Sequence, residues 1–558
     1  MKQRQAGGPA LLPSLIFTGL LIWGTWKSWV LLKDTAQLVP LFLGLLAVGS
    51  GVQSLSLLLS ALYNWLLRRE AGAKSEKKGS ASWATSEDIE DAGLYDTQGV
   101  FLGCDMQGKP IFFDGETHGL TLAPAGTGKT VSMAVPALCH LSLPMIVTDL
   151  KGTLACMTKD VRKSKHQQAT YCVNPGFLFS DILGTPSCYN PLQILMDDWA
   201  DPKLHRDLIA DAQSLALQLY PDLPRQGGEP FWPKGTRKII VFVLVHLVAH
   251  KDGSQATLSA VLTLLRNVQQ LKEACYLAAC CDVLSGELAD MATDLLAKLE
   301  APDTRQVESF LEGAIQCLSA FSPSGWLAES TSRCDFRFKD LKDKAATIYL
   351  IADPTKMQVF APWLGVLGWA AITELTRCQN TKPVFFLLDE ATNFRINNIS
   401  NALTGLREFG IRCWFLIQEL EEWVKNEGPH GLETLLSQTE VKQIFGVQSQ
   451  KTAELVSRMC GEETVKSTNY SLGHIFEDPV QHSMNEQSRK LLTPDEVRRF
   501  ADTILFVRNL PPIHAQKVGY HEVKPWANWV GVNPLFGTKL KGKIRVWLRY
   551  PRKWWWRR

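Results

Sequence analysis

A lysine and a threonine at positions 129 and 130 are the first residues whose type and spacing specify chemistry. They close the run Ala123-Pro-Ala-Gly-Thr-Gly-Lys129-Thr130, which lies between an apolar β-rich segment at 118–122 and a helix-compatible stretch at 131–141. Small residues let backbone N–H groups close around a phosphate, and the start of a helix adds positive potential there. The spacing predicts that Ala125, Gly126, Thr127 and Gly128 cradle a nucleoside triphosphate. Lys129 then reaches its β- and γ-phosphates, and Thr130 ligates Mg2+. Ala123 stands where this pattern usually opens with Gly, which is tolerable if that residue needs no positive φ. A chance loop is the alternative, and the strand–loop–helix setting argues against it.

The second half of such a site is a carboxylate at the end of a buried strand. Val384-Phe-Phe-Leu-Leu-Asp389-Glu390 supplies one. Asp389 is expected in the Mg2+ shell and Glu390 as the group that polarises the attacking water. Two apolar residues followed by Asp-Glu occur often by chance, so the pair gains weight only beside the loop. Asp149, in Ile146-Val-Thr-Asp149-Leu-Lys-Gly, is a second-ranked candidate for the same place because no Glu follows it. His246 and His250 have helical i, i+4 spacing, but apolar neighbours and the missing Glu of HExxH argue against a metal there. The 13 cysteines are odd in number, scattered and without a CxxC pair, which disfavours zinc fingers and disulfide frameworks and suits reduced thiols.

These residues need a frame. Short, near-continuous apolar runs at 118–122, 145–148, 347–351, 384–388, 413–417, 443–447 and 503–507 alternate with helical stretches. Such runs suit a parallel sheet covered on both faces, the doubly wound α/β pattern. From 193 to about 330 the periodicity turns helical, with helices expected at 208–219, 236–250, 258–279 and 288–299. The domains read as 71–192 and 334–524 for the two parts of a nucleotide-binding α/β domain, with an all-α domain inserted at 193–333.

Two uncharged stretches, 5–26 and 35–67, are each long enough to cross a bilayer, which takes about 20 apolar residues as helix. Trp23, Trp26 and Lys27 stand where a signal peptide would need small residues for cleavage. Residues 1–70 therefore read as a membrane anchor of two transmembrane helices. Lys2 and Arg4 precede the first span, and Arg68, Arg69, Lys74, Lys77 and Lys78 follow the second. This charge bias predicts a multi-pass protein with its body and both termini in the cytoplasm.

The formal charge of +3 is unevenly spread: nine Lys/Arg and no acid lie at 539–558, nine Lys/Arg against three acids lie at 1–78, and the body is acidic. Residues 525–558 read as a basic, aromatic C-terminal tail. Its interleaved Trp547, Tyr550 and Trp554–Trp556 suit stacking on nucleic-acid bases, an anionic lipid surface, or plain solvation.

Taken together, these motifs resemble the TraG/TraD-type coupling ATPases of type IV secretion and conjugation, from the anchor to about residue 515. Beside the phosphate loop, the marks begin with Gly79-Ser-Ala-Ser-Trp-Ala, Asp149-Leu-Lys-Gly152, Tyr189-Asn-Pro-Leu192 and Phe231-Trp232. Leu388-Asp-Glu390 and Gly405-Leu-Arg-Glu-Phe-Gly-Ile-Arg412 follow. Ile417-Gln418, Phe445-Gly-Val447 and Arg489-Lys-Leu-Leu-Thr-Pro-Asp-Glu496 complete the series. Leu150 and Thr153 depart from the family's usual Asp-Pro-Lys-Gly-Glu. The resemblance implies a RecA-like P-loop NTPase domain with an inserted all-α domain, assembled as a homohexamer with ATP and Mg2+ between subunits. Arg407 falls at the position of an arginine finger and Gln418 at that of a polar γ-phosphate sensor. A surface ion pair and a structural hydrogen bond are their respective alternatives. Asp149 joins the nucleotide-binding residues.

The function implied is that of an inner-membrane coupling ATPase in bacteria. Its partners would be relaxase-bound single-stranded DNA, components of a type IV secretion channel, and membrane lipids. Recruitment of protein effectors to such a channel, with little DNA pumping, is the alternative. A chromosome translocase of the FtsK type is disfavoured by the lack of a long linker and winged-helix tail. A metabolic kinase is disfavoured by the anchor.

Overall fold

The computed structural model describes residues 79–222, 231–250, 255–397, 399–470 and 482–550, with Trp23, Trp26 and Lys27. Apart from Trp23 and Trp26, the expected membrane spans at 5–26 and 35–67 lie outside the described residues. The chain divides into two units: residues up to Ser80 with Glu462–Arg489, and Ala81–Gly461 with Lys490–Arg558. In the smaller unit, strands Glu462–Tyr470 and His482–Lys490 pair with each other. Ser80 bridges Glu463, and Thr464 Oγ1 donates to the Gly79 carbonyl at 3.0 Å.

In the larger unit the apolar runs become a nine-stranded sheet. Numbered along the chain, its strands are β1 His118–Leu122, β2 Met145–Asp149, β3 Ala169–Val173, β4 Ala346–Ile351, β5 Val384–Leu388, β6 Ile411–Ile417, β7 Thr439–Ile444, β8 Thr503–Val507 and β9 Ile513–Ala515. The spatial order is β9-β8-β7-β1-β6-β5-β2-β4-β3. All neighbours from β7 to β3 are parallel, and β8 and β9 add an antiparallel edge. Every residue of β1, β2, β4 and β5 is buried, as expected of strands covered on both faces. The sequence reading shifted β7 to 443–447. Its real course alternates buried Thr439 and Val441 with half-exposed Glu440 and Lys442, and Gly446 (φ +65°) already belongs to the turn beyond it.

Helices from Gln193–Ala200 to Trp326–Ser330 form the expected helical region. Its side chains share one apolar cluster with the sheet: Leu208, Leu215 and Phe242 belong to the same core as Leu367, Phe386 and Phe415. Ion pairs hold the two together. Arg337 reaches Asp197 at 2.7 Å and buried Glu374 at 2.6 Å, and Tyr189 donates to Glu374 at 2.7 Å. The helix expected over 258–279 is two helices, Leu258–Arg266 and Val268–Ala279. Asn267 breaks it by capping the second, accepting from Gln270 N–H at 3.1 Å.

Among the described residues, one helix, Pro354–Thr376, is long and apolar enough to cross a membrane. It is two-thirds buried inside the body, where Phe360, Trp363, Leu364 and Leu367 join the same core and Trp369 Nε1 donates to Ser214 at 2.8 Å.

Residues 525–550, read from sequence as part of a separate tail, pack onto the larger unit. Trp526, Val530 and Val546 are buried, and Val523–Lys524 pairs in parallel with Val546–Trp547. Tyr550 bonds His140 at 2.6 Å and accepts from Trp526 Nε1 at 2.8 Å. Burial of these aromatics ties the segment down. Leu535, Phe536 and Trp547 remain exposed, and residues 551–558 lie outside the described residues.

Candidate functional site

The register of the parallel strands brings most of the sequence-predicted residues to the carboxyl ends of the central strands. Leu122 pairs with Ile417, Leu388 with Phe415 and with Thr148. The residues that follow these strand ends are the phosphate loop, Gln418, Asp389-Glu390 and Asp149. Ligand sites of open α/β sheets lie outside such carboxyl ends. The phosphate-loop strand and the carboxylate strand are separated by β6, whose end carries Gln418.

The loop leaves β1 at Ala123, whose N–H donates to the Ile417 carbonyl at 3.0 Å. Ala123 has no left-handed backbone, so the missing Gly has no conformational cost there, whereas Gly126 (φ +75°) and Gly128 (φ +98°) both need the freedom they have. Thr127 Oγ1 donates to the Pro124 carbonyl at 2.6 Å, bracing the turn. Thr130 opens the helix that continues to His140. Lys129 is buried, and its Nζ donates to the Ala123 carbonyl at 2.5 Å. Burial lowers the pKa of this ammonium, and the charges of Asp389 and Glu390 oppose that shift.

The carboxylates differ in how they are used. Asp149 is capped into the backbone: it accepts from Ala155 N–H at 2.8 Å and from Lys151 N–H at 3.3 Å, securing the helix that begins at Thr153. Burial pushes it up to about 6. Asp389 is pushed further, to about 7, by burial first and then by Glu390 and Asp149, with Lys129 and Lys151 opposing. A buried carboxylate among other acids is a group that a divalent cation would stabilise. Glu390 has φ +49°, a strained backbone for a non-glycine residue that costs roughly 1–3 kcal/mol. Asn393 Nδ2 donates to its carboxylate at 2.8 Å, and Lys151 Nζ lies 3.9 Å from it.

Arg407 does not join this cluster. It opens a 3-10 turn after helix Ile399–Leu406 and lines a cavity of about 390 Å3 with Thr117, His118, Lys442 and Arg508. His118 begins β1, so Arg407 lies at the end of the sheet opposite its own phosphate loop. His118 Nε2 bonds the Leu403 carbonyl at 3.0 Å, and Nδ1 accepts from Cys413 N–H at 3.0 Å. Burial lowers the His118 pKa and keeps the ring neutral beside Arg407. His246 and His250 stack at 4.6 Å, and His250 contacts Cys281 Sγ at 3.2 Å. No cluster of metal-binding type occurs among the described residues.

Sequence reasoning missed three neighbours. Lys151 stood inside the quoted Asp149–Gly152 mark without a role. Glu422 accepts from Thr392 at 3.0 Å, and its charge bears on Lys129. Lys517 donates to the Thr127 carbonyl at 2.9 Å from a segment almost 400 residues away, a proximity no local pattern reports.

A family model described as type IV secretory system conjugative DNA transfer matches residues 80–539. A conjugal transfer protein TraG of Escherichia coli is 25% identical over 544 residues, covering 86% of this chain and 82% of that protein. Protein VirD4 of Rhizobium radiobacter is 27% identical over 467 residues, covering 79% of this chain and 64% of VirD4. The fold is that of the bacterial conjugative coupling protein TrwBdeltaN70, with a TM-score of 0.53 over 76% of this chain and 91% of that one, at 15% identity. The TrwB complex with ADP and Mg2+ matches at a TM-score of 0.52 and 15% identity, over 78% and 94% of the two chains.

Proposed function

This chain belongs to the type IV secretory system conjugative DNA transfer family, and on that premise we propose that it is a coupling ATPase. It takes relaxase-bound single-stranded DNA and delivers it to a type IV secretion channel during conjugation, using ATP hydrolysis. The names of its relatives, conjugal transfer protein and conjugative coupling protein, support the process. The observation that carries the chemistry is the gathering of Lys129, Asp389, Glu390 and Gln418 at the carboxyl ends of the central strands, with Arg407 at their amino ends.

The loop from Ala125 to Thr130 would hold the triphosphate, with Lys129 exchanging the Ala123 carbonyl for phosphate oxygens. Thr130 and Asp389 would hold Mg2+, which neutralises phosphate charge when bound. Glu390 orients a water and accepts its proton. Its strained backbone and the bond from Asn393 fix the carboxylate in place before the reaction. Gln418 is positioned to sense the γ-phosphate. Asp149 shapes the site from behind by capping the adjacent helix. Because Arg407 lies at the far end of the sheet, it serves a neighbour's nucleotide, which requires head-to-tail packing in a ring, here of six copies. The ring sits on the cytoplasmic side of the inner membrane, held by two spans at 5–26 and 35–67. Lysines from 539 onward, beside exposed Leu535, Phe536 and Trp547, support contact with anionic lipid.

A mating assay tests the reading. In a donor deleted for this chain, the wild type is expected to restore DNA transfer and Glu390→Gln to fail by orders of magnitude. Undiminished transfer in the deletion strain would overturn the proposal. Loss of an exported protein substrate with DNA transfer intact would move the function to effector recruitment.

A further inference from the structure

The segment after β9 leaves the sheet edge and runs along the phosphate loop. Lys517 Nζ lies 2.9 Å from the Thr127 carbonyl and 5.1 Å from the ring centroid of buried Phe445, at the end of β7. Gly446 presses on Thr127 from the same strand end: a Cβ there would come within 2.7 Å of Thr127 Cγ2. Gly519 lies against the start of the loop's helix, where a Cβ would come within 2.8 Å of Val131 Cγ1.

The lysine is itself held in place. Arg545 Nη1 donates to the Lys517 carbonyl at 3.1 Å, and its other nitrogen bonds Gln516. The guanidinium also lies 3.6 Å from Glu522, whose carboxylate accepts from Gly519 N–H at 2.8 Å. The loop needs such a support. Gly126 and Gly128 take left-handed backbone with open space where a Cβ would be, so packing around these two residues does not restrain them.

We propose that Lys517 is a positioning residue of the nucleotide site, bridging the C-terminal segment to the carbonyl side of the phosphate loop. This rests on the nucleotide site proposed above. Holding the Thr127 carbonyl outward keeps the loop's N–H groups directed at the phosphates, and the ammonium adds positive charge beside a nucleoside triphosphate. Lys517 touches neither Asp389 nor Glu390, so it acts on binding more than on turnover.

Steady-state ATPase measurements on the full-length protein in detergent test this. Lys517→Met removes a charged donor of similar length and is expected to raise the KM for ATP about tenfold, the scale of one charge-assisted hydrogen bond. Its kcat should stay within roughly threefold of wild type, because the transition-state groups are untouched. Lys517→Arg keeps charge and donor and should recover most of the affinity. An unchanged KM in Lys517→Met overturns the proposal. So does equal impairment of the Met and Arg variants with a lowered Tm, which marks a purely structural contact. Lys129→Ala in the same assay separates the two levels. If it stays active, the nucleotide-site reading has failed. If it is dead while Lys517→Met keeps its KM, only the Lys517 assignment has.

Discussion

The position of Arg407 leads to a quantitative prediction about mixed assemblies. Arg407 neighbours the first residue of β1, and the phosphate loop begins after its last, Leu122. Four steps of an extended strand span about 13 Å, longer than an arginine side chain. The residue therefore cannot complete its own site. Each site should combine one subunit's Lys129 with the next subunit's Arg407. An arginine finger is worth on the order of 10^3–10^5 in kcat, so Arg407→Ala alone should be nearly inactive, as should Lys129→Ala. In rings of equal parts of the two variants, half of the sites have an intact loop, and half of those face an intact arginine. With sites that fire independently, about a quarter of wild-type turnover returns. The assay is co-expression with two different tags, tandem purification of mixed assemblies, and steady-state ATPase. Mixtures as inactive as either parent would refute the trans assignment, and so would an Arg407→Ala protein with wild-type turnover.

Two further outcomes follow from the same geometry. The Asp389 carboxyl is held near 7 against an ordinary value of 3.8, so the folded protein binds its proton more tightly than the unfolded chain does. Stability without Mg2+ should thus fall as pH rises from about 4 to about 7 and level off above that, and Asp389→Asn should flatten that dependence in melts run from about pH 4.5 to 8. A pH slope identical to wild type in the variant would contradict it. Ala123→Gly should leave ATP affinity unchanged, since Ala123 has no left-handed backbone, whereas Gly128→Ala at φ +98° should weaken it by about tenfold, for a strain of roughly 1–2 kcal/mol. Titration with a fluorescent nucleotide decides this, and equal affinities for the two variants would count against the loop assignment.

What was legible in the sequence follows a physical division. Strands buried on both faces announce themselves, and 118–122, 384–388 and 503–507 coincide with β1, β5 and β8. Strands with one partly open side do not: β7 interleaves Glu440 and Lys442, β3 is an edge strand that begins exposed, and β9 has three residues. The helix break at Asn267 was hidden because the apolar periodicity continues across it, and only a cap marks the stop. The placement of the loop after β1 and of Asp389-Glu390 after β5 was readable because such motifs have fixed spacing. The backbone cap on Asp149, the far-end placement of Arg407 and the approach of Lys517 arise from pairing and packing between distant segments, which spacing along the chain does not encode. The packing of 525–550 was obscured in the same way, since Tyr550 reads as a stacking aromatic until its partners His140 and Trp526 in the body are seen.

In the proposed function Glu390 would drive hydrolysis in a site whose phosphate cradle is separate from it. Glu390→Gln keeps size and shape and removes the base, so kcat should fall by about 10^2–10^4-fold while ATP affinity stays within a few-fold of wild type. Single-turnover hydrolysis measured beside nucleotide binding, on the same full-length preparation, gives both numbers. A variant that binds ATP and hydrolyses it at the wild-type rate would contradict the account.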